Sequence, residues 1–239
     1  MSVVVTGAAG AIGAAIARSF AERGVRVVAQ DVRTLSPPYA NALAIQGDLR
    51  ERGCLERLRA AVAASGAAAV VAAHGTFGGS GPLDSLARDA VRRTMDVNFG
   101  VLPHLLDSTL DALRARRGVF VAVASQAALR VEPGAPAYAA AKCAVKAWAD
   151  AADRQLCAEG VRVRVVCPGR TESPMLDDAL ELSAHAEGTS REAYEEECRR
   201  LIPAGRFGEP DDIAAAVQYL AGGGARPGLL AVNGGEIPW

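Results

Sequence analysis

The stretch Ser2-Val3-Val4-Val5-Thr6-Gly7-Ala8-Ala9-Gly10-Ala11-Ile12-Gly13 joins a short β-branched run to a glycine-rich turn and a first helix. Residues 2–6 predict a buried strand, and residues 11–23 have helical apolar spacing that stops at Gly24. Glycines let backbone N–H groups approach a pyrophosphate, and the helix N-terminus adds positive charge there. A purely structural tight turn is the alternative. The residues predicted to bind a dinucleotide here are Gly7, Gly10, Ala11, Ile12 and Gly13.

Strands and helices alternate along the rest of the chain, and the strands are continuous apolar runs. Such runs are typical of a parallel sheet that is covered on both faces. We expect one doubly wound α/β domain over residues 1–239, with about seven parallel strands and a lid at about 170–205. The further strands are predicted at 25–29, 43–45, 68–73, 119–124, 161–166 and 229–232, and the further helices at 50–64, 88–116, 136–159, 191–200 and 211–221.

Composition excludes several classes of protein. Half of the 239 residues are hydrophobic, which is enough for a sizeable core, and the net charge of −1 gives no basic excess for nucleic acid or an anionic membrane. Five cysteines without close pairs indicate neither a disulfide framework nor a metal site. They fit reduced thiols in the cytoplasm. The glycine-interrupted first 20 residues lack a preceding cationic segment, so we expect neither a signal peptide nor a membrane span.

Two aspartates follow predicted strands. Asp31 stands 18 residues after Gly13 and is placed to accept hydrogen bonds from the adenosine ribose hydroxyls. Its charge would repel a 2′-phosphate, so NAD is favoured over NADP, although nearby Arg33 would soften the repulsion. Asp48, followed by Leu49, is placed to contact adenine. The structural alternatives are a turn-forming residue at Asp31 and a helix N-cap at Asp48.

Tyr138 and Lys142 are four residues apart in a predicted helix, so their side chains share one face. A free phenol has a pKa of about 10, which a neighbouring ammonium lowers toward the range useful for proton transfer. Lys142 and Lys146 are the only lysines in an arginine-rich chain, which favours a specific need for an ammonium. An isolated pair with this spacing is otherwise often surface decoration.

Two further polar residues are candidates for the same site. Ser125 ends the strand at 119–124, and the carboxyl end of a parallel strand faces the ligand crevice. Its hydroxyl is placed to hold a substrate oxygen. Asn98 lies within a predicted helix that its propensity disfavours, and it is placed to hold a water linking Lys142 to solvent. A turn serine and a local backbone bond are the structural alternatives.

Together these residues resemble the short-chain dehydrogenase/reductase family over essentially the whole chain. The resemblance implies a Rossmann fold, a homotetramer and a catalytic tetrad. In the tetrad, Tyr138 is the acid/base, Lys142 binds the nicotinamide ribose and lowers the tyrosine pKa, Ser125 orients the substrate oxygen, and Asn98 supports a proton relay. It also implies cofactor contacts from Ala73, Gly75, Pro168, Gly169, Thr171 and Ser173, besides Tyr138 and Lys142.

The chain departs from the family pattern after the fourth strand, where Ala73-His74-Gly75 replaces the usual Asn-Ala-Gly. The missing asparagine puts some sheet-to-loop hydrogen bonding in doubt, and a locally satisfied loop histidine is favoured over a cofactor contact. The sequences of residues 123–128 and 168–175 resemble the corresponding segments of bacterial 2,3-dihydro-2,3-dihydroxybenzoate dehydrogenases. Arg130 and Arg170 are candidates for pairing with a substrate carboxylate, although surface arginines are the more common case.

The leading hypothesis is an NAD-dependent oxidoreductase that moves hydride between nicotinamide and a secondary alcohol or ketone. A cyclic substrate, such as a dihydrodiol or cyclic ketone, is the first expectation. One alternative is a 3-oxoacyl-carrier-protein-type ketoreductase, but such enzymes usually use NADPH, which Asp31 disfavours. Another is a catalytically silent nucleotide-sensing regulator. A sugar-nucleotide epimerase shares the tyrosine–lysine pair but generally needs a longer carboxyl-terminal region.

Overall fold

The computed structural model describes residues 2–35, 41–78, 81, 86–131, 134–222 and 226–237. Within them lies a seven-stranded sheet in the order β3-β2-β1-β4-β5-β6-β7, and all neighbouring strands pair in parallel. The predicted doubly wound fold is therefore confirmed. The strands are β1 Ser2–Thr6, β2 Arg26–Asp31, β3 Ala42–Gln46, β4 Ala67–Ala72, β5 Val119–Val123, β6 Arg162–Pro168 and β7 Leu229–Val232.

Helices cover both faces of the sheet. The helices α1 and α8 pack together against one face, and α2, α4 and α5 lie on the other, so that two apolar cores form. None of the described helices is long and apolar enough to cross a membrane. The helices are α1 Ala11–Ala21, α2 Arg52–Ser65, α3 Arg88–Met95, α4 Leu102–Arg116, α5 Pro136–Leu156, α6 Pro174–Glu187, α7 Arg191–Leu201 and α8 Pro210–Ala221.

The stretch 88–116 is helical as predicted, but it is not one uninterrupted α-helix. A π-helical turn at Asp96–Gly100 separates α3 from α4. Inside that turn the Asn98 amide donates to the carbonyl oxygens of Thr94, at 2.8 Å, and Thr76, at 2.9 Å. The second bond ties the turn to the loop after β4, and π turns commonly mark functional sites. The break therefore holds Asn98 beside the carboxyl edge of the sheet.

The segment predicted as a lid at about 170–205 is mostly helical. The helix at 191–200 is present as α7, but the sequence pattern does not predict α6. Ser173 caps α6 through a hydrogen bond from the Leu176 N–H, and Pro174 occupies the first turn. Leu180, Cys198, Ile202 and Phe207 form a small apolar cluster of their own, so these helices pack together above the sheet edge.

Candidate active site

The glycine-rich turn is too crowded for larger side chains. A Cβ on Gly13 would lie 2.1 Å from the Gly7 carbonyl oxygen, and a Cβ on Gly7 would lie 2.7 Å from the His74 backbone. Gly7 also has a φ of +66°, which favours glycine. The turn therefore packs against the loop after β4, and α1 begins directly behind it. This is the strand–turn–helix arrangement that cradles a pyrophosphate.

Asp31 closes the second strand beside this turn. Its carboxylate accepts hydrogen bonds from the Ala9 N–H and the Arg33 N–H, each at 2.9 Å, and from Arg33 Nε at 3.3 Å. Burial pushes the pKa of Asp31 upward, but these hydrogen bonds and the guanidinium outweigh it and hold the pKa below its ordinary value. The group is thus a fixed, ionised carboxylate at the edge of the turn.

The alternative reading of Asp48 as a helix N-cap is wrong, whereas the predicted cofactor contacts of Asp48 and Leu49 stay predictions. Asp48 pairs with Arg50, whose hydrogen bonds are the main cause of its lowered pKa, and it does not cap α2 because Glu51 occupies the N-cap. Leu49 is buried in a core cluster. Its side chain is therefore unavailable to a ligand, and only its backbone could make the predicted cofactor contact.

The four predicted catalytic side chains line one pocket at the carboxyl ends of β4, β5 and β6. Lys142 is 4% exposed, and its Nζ donates to the Val123 carbonyl at 3.1 Å and lies 5.5 Å from the Tyr138 ring centroid. Ser125 hydrogen-bonds the Tyr138 phenol and accepts from the Ala127 N–H at 3.1 Å. The structure thus places a phenol, a hydroxyl, an amine and the Asn98 amide around one cavity.

The sequence predicts that Lys142 lowers the pKa of Tyr138, but the structure gives the opposite direction. Burial raises the pKa of Tyr138 above its ordinary value, and the hydrogen bond from Ser125 only partly offsets it. Burial also lowers the pKa of Lys142 to about 8. The phenol is therefore protonated at neutral pH, because burial is the main cause of its shift.

The locally satisfied histidine that the sequence favours is only partly observed, because His74 lines the pocket as well as contacting Thr6. Its Nδ1 lies 2.6 Å from the Thr6 hydroxyl, while Nε2 is buried without a hydrogen-bond partner among the described residues. Burial, followed by the Lys142 charge, lowers the pKa of His74 to about 3. The imidazole is consequently neutral at physiological pH.

The remaining predicted cofactor residues are divided between the pocket and the turn beside it. Thr171 and Ser173 line the pocket, but their hydroxyls donate to the Gly169 and Thr171 carbonyls at 3.2 and 3.0 Å. The predicted residues that line the pocket are Ile12, Ala73, Gly75, Asn98, Ser125, Tyr138, Lys142, Pro168, Gly169, Thr171 and Ser173.

Sequence reasoning missed the apolar part of the pocket wall. Phe77 packs its ring 5.3 Å from that of Tyr138, and α6 and α7 contribute Leu176, Leu180 and Tyr194. Their contribution follows from the tertiary packing of α6 and α7 over the sheet edge, so no local sequence signal marks them. The Ser-Pro capping pair at 173–174 could have predicted α6 itself.

The chain matches known proteins along most of its length. The model of the short chain dehydrogenase family matches residues 1–182. The chain is 32% identical to the 2,3-dihydro-2,3-dihydroxybenzoate dehydrogenase of Escherichia coli K12, with 92% of this chain and 89% of that protein covered. It is 31% identical to the cis-4-hydroxycyclohexanecarboxylate dehydrogenase of Sinomonas cyclohexanicum, with 97% and 94% covered.

A solved structure shares the same architecture. It is a variant of the actinorhodin polyketide ketoreductase with NADPH, which superimposes with a TM-score of 0.88 at 27% identity, covering 98% of this chain and 96% of that one. The similarity therefore includes both dehydrogenases of ring compounds and a ketoreductase.

Proposed function

Because the chain belongs to the short chain dehydrogenase family, and is thus an oxidoreductase of alcohol or ketone groups, we propose that it is NAD-dependent and acts on a cyclic secondary alcohol or ketone. The single observation that carries the proposal is the convergence of Tyr138, Ser125, Lys142 and Asn98 on one pocket beside the glycine-rich turn. These are the groups needed to hold a carbinol oxygen and move its proton.

The residues of the turn fit a dinucleotide. The absence of side chains at Gly7 and Gly13 brings backbone close together at the start of α1, where the helix dipole favours an anionic pyrophosphate. Asp31 offers carboxylate oxygens to a ribose diol and disfavours a 2′-phosphate. When bound, the cofactor supplies a hydride donor or acceptor at its nicotinamide carbon.

The chain's own part in the reaction is the handling of one proton. In the reducing direction the protonated Tyr138 phenol donates its proton to the carbonyl oxygen, which the Ser125 hydroxyl also holds. In the oxidising direction the same phenol oxygen accepts the proton of the alcohol. Lys142 binds the cofactor ribose and stabilises the phenolate as it forms, and Asn98 supports the path by which the proton reaches solvent.

The cyclic substrate is supported by the shape and lining of the pocket. Phe77, which packs on the Tyr138 ring, and the α6 side chains Leu176 and Leu180 give the pocket an apolar surface against which a ring can lie. The α6–α7 segment is in this proposal the lid that excludes water. The relatives that act on ring compounds support the same substrate class.

The assembled state completes the proposal. We place the enzyme in the cytoplasm as a homotetramer, where its five free thiols stay reduced. A light-scattering mass near four times the 24.6 kDa of one chain supports the tetramer, and a monomeric mass excludes it.

The test is turnover with a panel of cyclic alcohols and ketones, followed at the absorbance band of the reduced nicotinamide with NAD and with NADP. Faster turnover of cyclic than of linear alcohols with NAD supports the proposal. The similarity to the actinorhodin ketoreductase favours the ketoreductase alternative. Preferential turnover of carrier-bound 3-oxo thioesters with NADPH would support that alternative instead. Nucleotide binding without turnover of any alcohol or ketone would indicate a regulator.

A further inference from the structure

Two arginines on the pocket wall share one buried carboxylate. Arg130 and Arg170 both line the pocket, and both donate to the same carboxylate oxygen, Oε1 of Glu236. The distance from Arg130 Nη2 to that oxygen is 3.3 Å. Glu236 is in the segment after β7 and is not itself among the residues that line the pocket, so it lies behind the two guanidinium groups.

The carboxylate behind the arginines is firmly fixed. The Glu236 side chain is 1% exposed, and its second oxygen accepts a hydrogen bond from Gln126 Nε2 at 3.0 Å. Gln126 directly follows Ser125 in the chain, and its carbonyl accepts the Arg130 N–H at 3.0 Å. One buried carboxylate thus orients both guanidinium groups on the wall of the pocket that Ser125 also lines.

The charged side chains on the pocket wall have one sign. Among the described lining residues, Arg130, Arg170 and Lys142 are basic, and none is an aspartate or glutamate. Lys142 belongs to the catalytic group, so the remaining basic side chains on the pocket wall are the two arginines. Each guanidinium has five N–H donors, and a donor that reaches the cavity can bind a ligand oxygen. A cleft with this lining favours an anionic ligand.

We propose that Arg130 and Arg170 form a subsite for a carboxylate on the substrate, with Glu236 as the positioning residue. The inference rests on the proposed function and narrows its substrate class to cyclic alcohols or ketones that carry a carboxylate group. A carboxylate matches the planar fork of a guanidinium. The Glu236 contacts show that this arginine pair holds a carboxylate in the folded chain.

The first experiment measures binding without turnover. Cyclohexanecarboxylate and cyclohexanecarboxamide have nearly the same shape and differ in charge, and their affinities for the wild-type protein are measured by calorimetry with and without NAD. We expect the carboxylate to bind about tenfold to a hundredfold tighter, as charge-assisted hydrogen bonds predict. Equal affinities within about threefold, a ratio that is worth less than 1 kcal/mol, would overturn the inference.

The second experiment locates the preference. Arg130→Met and Arg170→Met should each reduce the carboxylate-to-carboxamide affinity ratio by about tenfold, and Arg130→Lys should retain more of the ratio than Arg130→Met. Arg52→Met, at an exposed arginine on α2 that pairs with Glu56, is the matched control and should keep the wild-type ratio. A preference that survives both methionine variants would contradict the assignment.

The design separates the two levels of the proposal. Arg170→Met leaves Glu236 without its Arg170 partner and could prevent folding, so thermal melts accompany each variant. If Arg170→Met does not fold, the subsite is tested by the two Arg130 variants, since Arg130 is half exposed. The affinities of the carboxylate and the carboxamide for the wild-type protein test it as well. A carboxylate preference without any turnover would refute only the proposed oxidoreductase reaction with cyclic substrates. Turnover of cyclic alcohols without a carboxylate preference would refute only the subsite.

Discussion

At the scale of single residues, Tyr138 is the group on which the proposed chemistry depends. Replacing Tyr138 with Phe removes the hydroxyl that exchanges the proton and keeps the ring that packs against Phe77. We expect kcat to fall by about 10²–10⁴-fold, the usual contribution of a general acid or base. Steady-state kinetics and NAD titration measure the two effects separately, and NAD affinity should change little.

The control for this substitution is Tyr219→Phe, at a tyrosine that is exposed on α8 and stacks with Arg226. It removes the same hydroxyl far from the pocket and should leave kcat at the wild-type value. Turnover that persists in Tyr138→Phe would rule out the acid/base assignment.

Asp31 is the residue that should decide between the two nicotinamide dinucleotides. Asp31→Ser removes the charge that repels a 2′-phosphate and leaves Arg33, now 3.3 Å from the carboxylate, able to attract one. We expect the ratio of kcat/KM for NADP to that for NAD to rise by about tenfold to a hundredfold, because hydrogen bonds to a charged group contribute about 1.5–3 kcal/mol. Measuring both cofactors on each variant gives the ratio.

Asp107→Ser is the matched control, because that aspartate is exposed and pairs with Arg59 at 2.8 Å on the α2–α4 surface. Its cofactor ratio should equal that of the wild type. An unchanged ratio in Asp31→Ser would mean that the carboxylate only shapes the turn, through its hydrogen bonds to Ala9 and Arg33.

At the scale of elements, the contact between the glycine-rich turn and α1 depends on Gly13. An alanine there would place its Cβ 2.1 Å from the Gly7 carbonyl oxygen, so the turn or the helix must move. We expect Gly13→Ala to lower the free energy of unfolding by about 1–3 kcal/mol, the usual cost of overpacking, and to weaken NAD binding. Urea denaturation and NAD titration measure both.

Gly53→Ala is the control, because an added Cβ has free space at Gly53. Gly53 is in the first turn of α2 and has no atom within 4 Å of a Cβ, so alanine should stabilise the protein by up to about 1 kcal/mol. NAD affinity should not change. If Gly13→Ala were as harmless as Gly53→Ala, the close packing of the turn would not matter for the cofactor.

Some of the secondary-structure elements can be predicted from local sequence and others cannot. The strands are predictable to within a few residues because uninterrupted valine and alanine runs satisfy a sheet that is buried on both faces. The π-helical turn between α3 and α4 is not predictable from local sequence. Its Asn98 side chain bonds to Thr76, which is 22 positions away in the chain. The sequence pattern misses α6 because Pro174 is also typical of irregular structure, although proline is favoured in a first turn.

At the scale of the whole molecule, the candidate site is an assembly of strand ends. Tyr138, Lys142 and Ser125 are predictable from the sequence, because parallel topology brings strand ends and the next helix together. Glu236 is not, since its partners Gln126 and Arg170 are 110 and 66 residues away in the chain. The raised pKa of Tyr138 is not predictable either, because burial by the folded chain causes it.

The stability of the whole molecule should depend on pH through His74. Burial lowers its pKa to about 3 in the folded chain, whereas an unfolded chain has a histidine pKa of about 6.5. Below that value the unfolded state binds a proton that the folded state does not, so stability falls as the pH falls. Between pH 7 and pH 5 this term amounts to about 2 kcal/mol.

The prediction is tested by urea denaturation at pH 7 and pH 5. His74→Asn keeps a hydrogen-bonding group beside the Thr6 hydroxyl and removes the titrating ring, so it should lose about 2 kcal/mol less than the wild type over this interval. The exposed His104 provides the control variant, His104→Asn, which should retain the wild-type loss. Because the other titrating groups are common to all three proteins, an equal loss in His74→Asn would show that the folded chain accepts a proton on His74.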